Sequence, residues 1–251
     1  MKRKSADQYL FVADSHIAGG DAAVRFFRFL DEAAQLPPSV GIVFLGDIFE
    51  LWIALKRYED DLHIRFTDWC REQSALRDVI FCEGNHEFYQ SLRRTACFGT
   101  VSRSHIRRGG LLFTHGDRIN RRDVPYLFLR IGIRNLFTML LLFLTGRAFG
   151  PALTQRVRLS LKTSNMVNKK LFPESGVLRL MKSAGQKGIR EIFIGHFHDR
   201  RDFVQDGVRL HALPAFLNTQ EIALYDCRSG EYRCAVWQEI LKHLNQQQGV
   251  D

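Results

Sequence analysis

Five short apolar runs in this chain each end in a cluster of metal-ligating or proton-transferring side chains, and this recurrence constrains the fold more than any other feature. Tyr9–Ala13 runs into Asp14-Ser15-His16, and Val40–Leu45 into Gly46-Asp47. Val79–Cys82 leads to Gly84-Asn85-His86-Glu87, Leu111–Thr114 to His115-Gly116-Asp117, and Ile192–Ile194 to Gly195-His196-Phe197-His198. Runs this short, rich in Val, Ile and Phe, predict strands buried on both faces. Helical patterns at Ala22–Leu36, Asp60–Arg77 and about Glu87–Cys97 lie between them. Strands alternating with helices predict an α/β fold, in which ligands gather at the carboxyl ends of the strands. All five clusters fall there. Val208–Ala212, Glu221–Asp226 and Tyr232–Gln238 predict successive strands of an antiparallel sheet closing the domain, with Gln246–Gln248 a frayed end. Residues 1–251 read as one domain, and residues 124–173, which break the strand rhythm, as a helical insertion within it.

The clusters hold five of the nine histidines (His16, His86, His115, His196, His198) together with Asp14, Asp47 and Asn85. A lone D-x-H or G-D is common by chance; five such clusters in order, each after a predicted strand, are not. Imidazole, carboxylate and amide ligands without thiolate suit manganese, iron, zinc or magnesium. A carboxylate can bridge two such ions, and ions roughly 3.5–4 Å apart can bind a phosphoryl oxygen and stabilise an in-line displacement. A neighbouring histidine can donate a proton to the leaving oxygen. The residues therefore point to metal-assisted hydrolysis of a phosphate ester or anhydride. The five cysteines contain no C-x-x-C pair and are odd in number, which predicts unbonded thiols in a reducing compartment.

The order D-x-H, G-D, G-N-H-E, H-G-D and G-H-x-H resembles that of the calcineurin-like metallophosphoesterases, over about Tyr9 to Asp199. The resemblance implies a four-layer α/β/β/α sandwich and a dinuclear metal site. One ion would be held by Asp14, His16 and His198, the other by Asn85, His115 and His196, with Asp47 bridging. His86 would act beside the scissile phosphate as general acid or phosphate stabiliser, with Asn85 also at the catalytic centre. Two divalent ions are implied, with manganese the first expectation. A closer resemblance is to the UDP-2,3-diacylglucosamine pyrophosphatases of lipid A synthesis. Asp47-Ile48-Phe49-Glu50-Leu51-Trp52-Ile53 is similar to their G-D-L-F-E-x-W-I stretch. His115-Gly116-Asp117 with Asp123, Tyr126 and Arg130 keeps the spacing of a second motif. Ser164, Asn168 and Lys170 (or Lys169) would correspond to substrate-binding positions there, as would Asp123. The implied activity is hydrolysis of a lipid-linked nucleotide diphosphate to UMP and a lipid monophosphate. Three departures stand out: His86 where that family has Arg, the basic Ile119–Asp123 run, and Ile53-Ala54-Leu55 in place of Gly-Asp. They leave open another phospholipid, nucleotide or phosphodiester as substrate for the same chemistry.

Charge is distributed unevenly behind the total of +9. From Val101 to Arg190 there are 18 Lys and Arg against three acids, whereas the remainder holds 18 basic and 24 acidic residues. Within the basic middle, Val124–Lys170 is the stretch densest in Leu and Phe, interleaved among Arg130, Arg134, Arg147, Arg156 and Arg158. Interleaved cations and large apolar side chains are what an interfacial helix needs, which predicts a lid that accepts acyl chains and rests on an anionic membrane surface. The expected location is cytoplasmic, peripheral to the inner face of the cytoplasmic membrane. Nucleic acid is the other natural anion, but no binding module is recognisable and the aromatics here mingle with Leu and Ile, not with the polar residues of a stacking platform. A scaffold without catalysis is disfavoured because no ligand position is missing. His63, His105 and His211 read as structural, and His243 as tail.

Overall fold

The computed structural model describes residues 6–119, 137–144 and 172–248. Two sheets carry the fold. The first has strand order β13-β12-β1-β2-β4-β6 and the second β10-β11-β9-β8-β7. In the first, β1 (Gln8–Val12), β2 (Val40–Phe44), β4 (Val79–Cys82) and β6 (Thr100–Ser102) run parallel, and β12 (Glu221–Asp226) and β13 (Tyr232–Val236) extend it antiparallel. In the second, β8 (Leu111–Thr114), β9 (Glu191–Ile194) and β11 (Val208–Ala212) are parallel, flanked by antiparallel β7 (Ile106–Arg108) and β10 (Arg201–Gln205). A two-stranded ladder joins β3 (Trp52–Ile53) to β5 (Glu87–Phe88).

Side chains alternate across each strand, and this alternation builds the layers. Tyr9, Phe11, Val43, Leu45 and Ile80 of the first sheet meet Phe113 and Phe193 of the second in one buried cluster. The rings of Phe11 and Phe193 stack at 4.1 Å, joining the two sheets. Leu10, Val12, Ile42 and Phe44 point the other way, under α1 (Gly20–Ala33), α2 (Asp61–Leu76) and the C-terminal helix Trp237–Gln248. The outer face of the second sheet packs Ile192, Ile194 and Leu210 against Val177 and Met181 of helix Glu174–Gly185. Helix layer, sheet, sheet, helix layer is the expected α/β/β/α sandwich.

All five motif strands form within a residue or so of their predicted bounds. Asp60 caps α2, exchanging capping-box hydrogen bonds with His63. Three expectations are corrected. The helix over about Glu87–Cys97 shrinks to Gln90–Arg93, because Glu87–Phe88 pairs with Trp52–Ile53 and Tyr89 turns left-handed at φ 71°. The last three strands do not share one sheet: β11 joins the second sheet beside β9, whereas β12 and β13 join the first beside β1. The last of them stops at Val236, since Trp237, packed against Phe29 at 5.8 Å, starts a helix that runs through His243 to Gln248. Of the insertion, residues 137–144 and 172–173 are described, and 137–144 are helical. All five thiols are unbonded, with Cys227 exposed and the others buried. Among the described residues no helix is long and apolar enough to cross a membrane.

Candidate metal centre

Each motif strand delivers its cluster to the same end of the sandwich. Asp14, Asp47 and Asn85 come from the first sheet, His115, His196 and His198 from the second. The chain turns sharply as it leaves each strand, and five of these residues pay in backbone strain: Asp14, His16, Asp47, His196 and His198 all have φ between 42° and 73°. Non-glycine residues rarely adopt that region, and clusters of them mark functional sites. Two glycines permit the close approach. A Cβ on Gly84 would sit 2.8 Å from Asp47 Cγ, and one on Gly195 would sit 2.7 Å from Asp14 Oδ2.

Candidate ligand atoms gather in three groups, one of them His16, Glu50 and His86. Asp14, His16 and His198 offer atoms within 4.8 Å of one another, as do Asp47, His115 and His196. Asp47 Oδ2 stands between the groups, 3.3 Å from His115 Nε2 and 4.0 Å from His16 Nε2. Asn85 Oδ1 lies 3.1 Å from His115 Nε2, completing the second group. The mouth is on the His198 side: its side chain is 36% exposed, whereas those of Asp14 and Asp47 are at most 1% exposed.

The donor set fits a cation. His115 Nδ1 is 2.7 Å from the Leu45 carbonyl, so it carries the proton and donates. Its Nε2 lone pair therefore faces Asp47 Oδ2, Asn85 Oδ1 and, at 3.1 Å, His196 Nδ1. Carboxylate, amide oxygen and imidazole lone pair converging in a buried space repel one another unless a positive charge lies between them. Asp14 Oδ1 and His16 Nδ1 are buried without a hydrogen-bond partner among the described residues. The electrostatics agree. Burial raises the Asp47 carboxyl, but His115 and His86 outweigh it and hold it well below the usual range. Burial lowers His115, yet Asp47 brings it above the ordinary histidine value, the response of a site that attracts positive charge. His16, buried beside other imidazoles, falls to about 3 and stays neutral.

His86 lies under this group, 1% exposed, with Nδ1 2.6 Å from the Glu50 carbonyl and Nε2 3.9 Å from Asp47 Oδ2. That carbonyl fixes the tautomer and aims Nε2 at the ligand cluster. Two carboxylates were given no role by sequence reasoning. Glu50 Oε2 is 3.9 Å from His16 Nδ1. Glu87, fully buried, accepts backbone N–H bonds from Asp47 (2.8 Å), Ile48 (2.7 Å) and Gly84 (2.7 Å), tying the second motif loop to the third. Burial, then the nearby Asp47 charge, raise its carboxyl to about 8. Its place inside G-N-H-E was the available signal. The turn after β11 also reaches the centre: Phe216 and Leu217 donate to the Ala13 and Asp14 carbonyls. His211 proves structural, between Asp202 (2.6 Å) and Glu191 (3.2 Å). Asp123, Ser164, Asn168 and Lys170 lie outside the described residues.

Beside the loop after Asp47, Leu51, Ile53, Ala54, Leu55 and Tyr58 form a small apolar cluster that receives Met139 and Leu142 of helix 137–144. Tyr58 Oη donates to the Leu142 carbonyl at 3.0 Å. The apolar Ile53-Ala54-Leu55 run thus serves as a socket for the helix, whose other side exposes Phe137, Leu140, Leu141, Phe143 and Leu144.

Residues 8–200 match the family model for calcineurin-like phosphoesterases. Similar curated proteins include a UDP-2,3-diacylglucosamine hydrolase of Azotobacter vinelandii, 29% identical over 53% of this chain, the match spanning 57% of that protein. The UDP-2,3-diacylglucosamine hydrolase of Pseudomonas aeruginosa is 27% identical over 75% of this chain and 81% of its own length. The chain thus spans little more than half the length of the first relative and about four-fifths of the second. Among solved structures, an archaeal phosphodiesterase aligns with 91% of this chain and 99% of its own, at 12% identity and a TM-score of 0.46.

Proposed function

The chain belongs to the calcineurin-like phosphoesterase family and is a metal-dependent phosphoesterase, and from that premise we propose that it is a dinuclear pyrophosphatase of a lipid-linked nucleotide sugar. The substrate on this reading is of the UDP-2,3-diacylglucosamine type, cleaved to UMP and a lipid monophosphate. The observation that carries the reading is the pair of three-ligand groups meeting at Asp47. One ion is assigned to Asp14, His16 and His198, the other to Asn85, His115 and His196, with Asp47 shared. Bound divalent ions, manganese foremost and iron, zinc or magnesium as alternatives, supply Lewis-acid polarisation of the phosphoryl oxygens and a nucleophilic water at neutral pH.

The chain's own groups do the rest. The Leu45 carbonyl holds the His115 ring in the tautomer that presents Nε2 as a ligand. Glu87 fixes Asp47 and Gly84 relative to each other, so the shared carboxylate and Asn85 keep their spacing. The Glu50 carbonyl keeps a proton on His86 Nδ1, leaving Nε2 to stabilise the phosphate or to carry the proton handed to the departing oxygen. Asp123, Ser164, Asn168 and Lys170 are assigned to substrate contacts. Helix 137–144, seated beside the centre with five apolar side chains turned outward, is suited to acyl chains and an anionic membrane surface. The names of the relatives support the same substrate class.

One observation favours a second reading, the same chemistry on another phospholipid, nucleotide or phosphodiester. His86 is buried and tethered inward, so it does not reach into the substrate space as a long guanidinium does. A substrate panel with manganese-loaded protein separates the two. Release of UMP from UDP-2,3-diacylglucosamine that disappears in both Asp47→Ala and His115→Ala supports the first. Turnover confined to other esters selects the second, and undiminished turnover in both variants refutes the metal assignment.

A further inference from the structure

On the outer face of the second sheet, the β7–β8 edge and helix Glu174–Gly185 border an open groove of about 1100 Å³. Arg179, Lys182, Ser183 and Gln186 line one wall. Their spacing of i, i+3, i+4 and i+7 places all four on a single helix face. Ser104, His105 and Arg107 form the facing wall, at the edge strand of the sheet. Arg118 and Lys187 add to the polar lining, and Leu112, Leu180 and Ile189 supply apolar surface.

Among the described residues no carboxylate lines this groove, although it holds five Arg and Lys side chains. Among the described residues none of the five is in a salt bridge with an acid, and the guanidinium of Arg107 donates instead to the Lys187 carbonyl at 2.8 Å. The crowding registers on His105. Burial first, then the charges of Arg107, Lys187 and Arg118, push its pKa below the ordinary histidine value. Three cations from three different segments therefore converge on one imidazole. Like charges gathered in a concavity raise the local potential and favour a multiply charged anion. Serine hydroxyls and a glutamine amide on the same walls add neutral hydrogen-bond donors. Thr114 and Gly116 border the groove and flank His115, but alternation along β8 turns Phe113 into the inter-sheet layer and Leu112 to the outer face. The groove thus opens on the opposite side of the strand from the ligand cluster.

We propose that this groove is a second anion-binding site, distinct from the metal centre, that takes a ligand with clustered phosphate groups through Arg107, Arg118, Arg179, Lys182 and Lys187. The shared chemistry is the phosphate cluster, whether free in solution or displayed by anionic lipid headgroups. The site is independent of the substrate assignment above.

The test uses full-length, magnesium-loaded protein and two probes. Methylenediphosphonate, which resists hydrolysis, is titrated while the His105 ring resonances are followed by NMR, and vesicles with and without phosphatidylglycerol are tested by co-sedimentation. Diphosphonate binding is expected to move the His105 resonances and raise its pKa by about one unit, since an opposite charge close by favours the protonated ring. Arg179→Glu with Lys182→Glu is expected to weaken binding at least tenfold, with hydrolysis of bis(p-nitrophenyl) phosphate unchanged. If the double variant does not fold, Arg179→Gln alone, at an exposed position, carries the same comparison. Dependence on these residues for diphosphonate alone assigns the site to free phosphate, and for vesicles alone to headgroups. Binding of neither probe, or binding of both unaltered by the substitutions, overturns the proposal.

Discussion

Replacing Gly84 by Ala tests whether backbone packing sets the position of the shared carboxylate. The new Cβ would lie 2.8 Å from Asp47 Cγ, 0.6 Å inside the 3.4 Å at which ordinary contact begins, and nearer still to Asp47 Oδ1 and the backbone nitrogen. Relief by rotation of Asp47 breaks the 2.9 Å bond that its Oδ1 accepts from the His86 amide. Relief by retreat of Gly84 opens the 2.7 Å bond to Glu87. Either way Asp47 Oδ2 leaves its place between His16 and His115. Overpacking of this kind costs about 1–3 kcal/mol, or a fall of roughly 3–10 °C in Tm for a chain this size. A misplacement approaching 1 Å at reacting groups costs on the order of 100-fold, so kcat/KM on bis(p-nitrophenyl) phosphate is expected to fall between about tenfold and 100-fold. Gly188→Ala is the control: it has φ +76° but nothing within 4 Å of the added methyl, so it carries backbone strain without touching the centre. Manganese-loaded Gly84→Ala protein with kcat/KM within threefold of the parent would refute the reasoning.

Three further outcomes are expected. Glu87→Gln turns an amide NH₂ toward a cage of backbone N–H donors, leaving at least one buried donor unsatisfied at about 1–3 kcal/mol; a thermal midpoint equal to the parent's would show that the three bonds are dispensable. Metal affinity is expected to fall as pH drops, beginning above the ordinary histidine value because His115 is raised and protons compete for its imidazole, while His16 stays neutral; calorimetric titration with Mn²⁺ at pH 8 and pH 5.5 giving equal affinity would contradict the histidine assignment. Leu142→Glu buries a charge in the socket of Ile53, Leu55 and Tyr58, so helix 137–144 should unseat; KM for the lipid-linked substrate should rise about tenfold while soluble ester turnover holds, and an unaltered KM would remove the helix from acyl-chain binding.

The parallel strands and their polar termini were legible because burial on both faces writes itself as uninterrupted Val, Ile and Phe, and because metal ligands are few in kind. The ligand grouping at Asp47 came only with the resemblance that the motif order carries, and the fold brings those residues into proximity. Other features left no local trace. Which sheet β11 joins depends on pairing with β9, far outside any window of periodicity. The helix begun by Trp237 was read as strand because a Tyr-Arg-Cys-Ala-Val run precedes it, and contact with Phe29 decides the matter. Glu87 stands in its motif with no readable role, since a carboxylate gathering backbone N–H groups has no signature in residue spacing. Nor did the apolar Ile53-Ala54-Leu55 run announce a socket; its partners Met139 and Leu142 lie more than 80 positions away.

The ligands are divided between the two sheets, and that division has a mechanical consequence. Away from the centre, the sheets are held together by the rings of Phe11, Phe113 and Phe193 and by directional bonds from Arg108 of the second sheet to Asp78 and Thr100 of the first. At the ligand end, Asp47 from one sheet and His115 from the other would grip a common ion, a bond with both length and angle. A bound ion would thus add a joint to the bonds that already cross between the sheets at this end, from His115 to the Leu45 carbonyl and from the His196 amide to Asp14. A mutation that shifts one sheet against the other, however distant, is then transmitted to the centre as a change in bite.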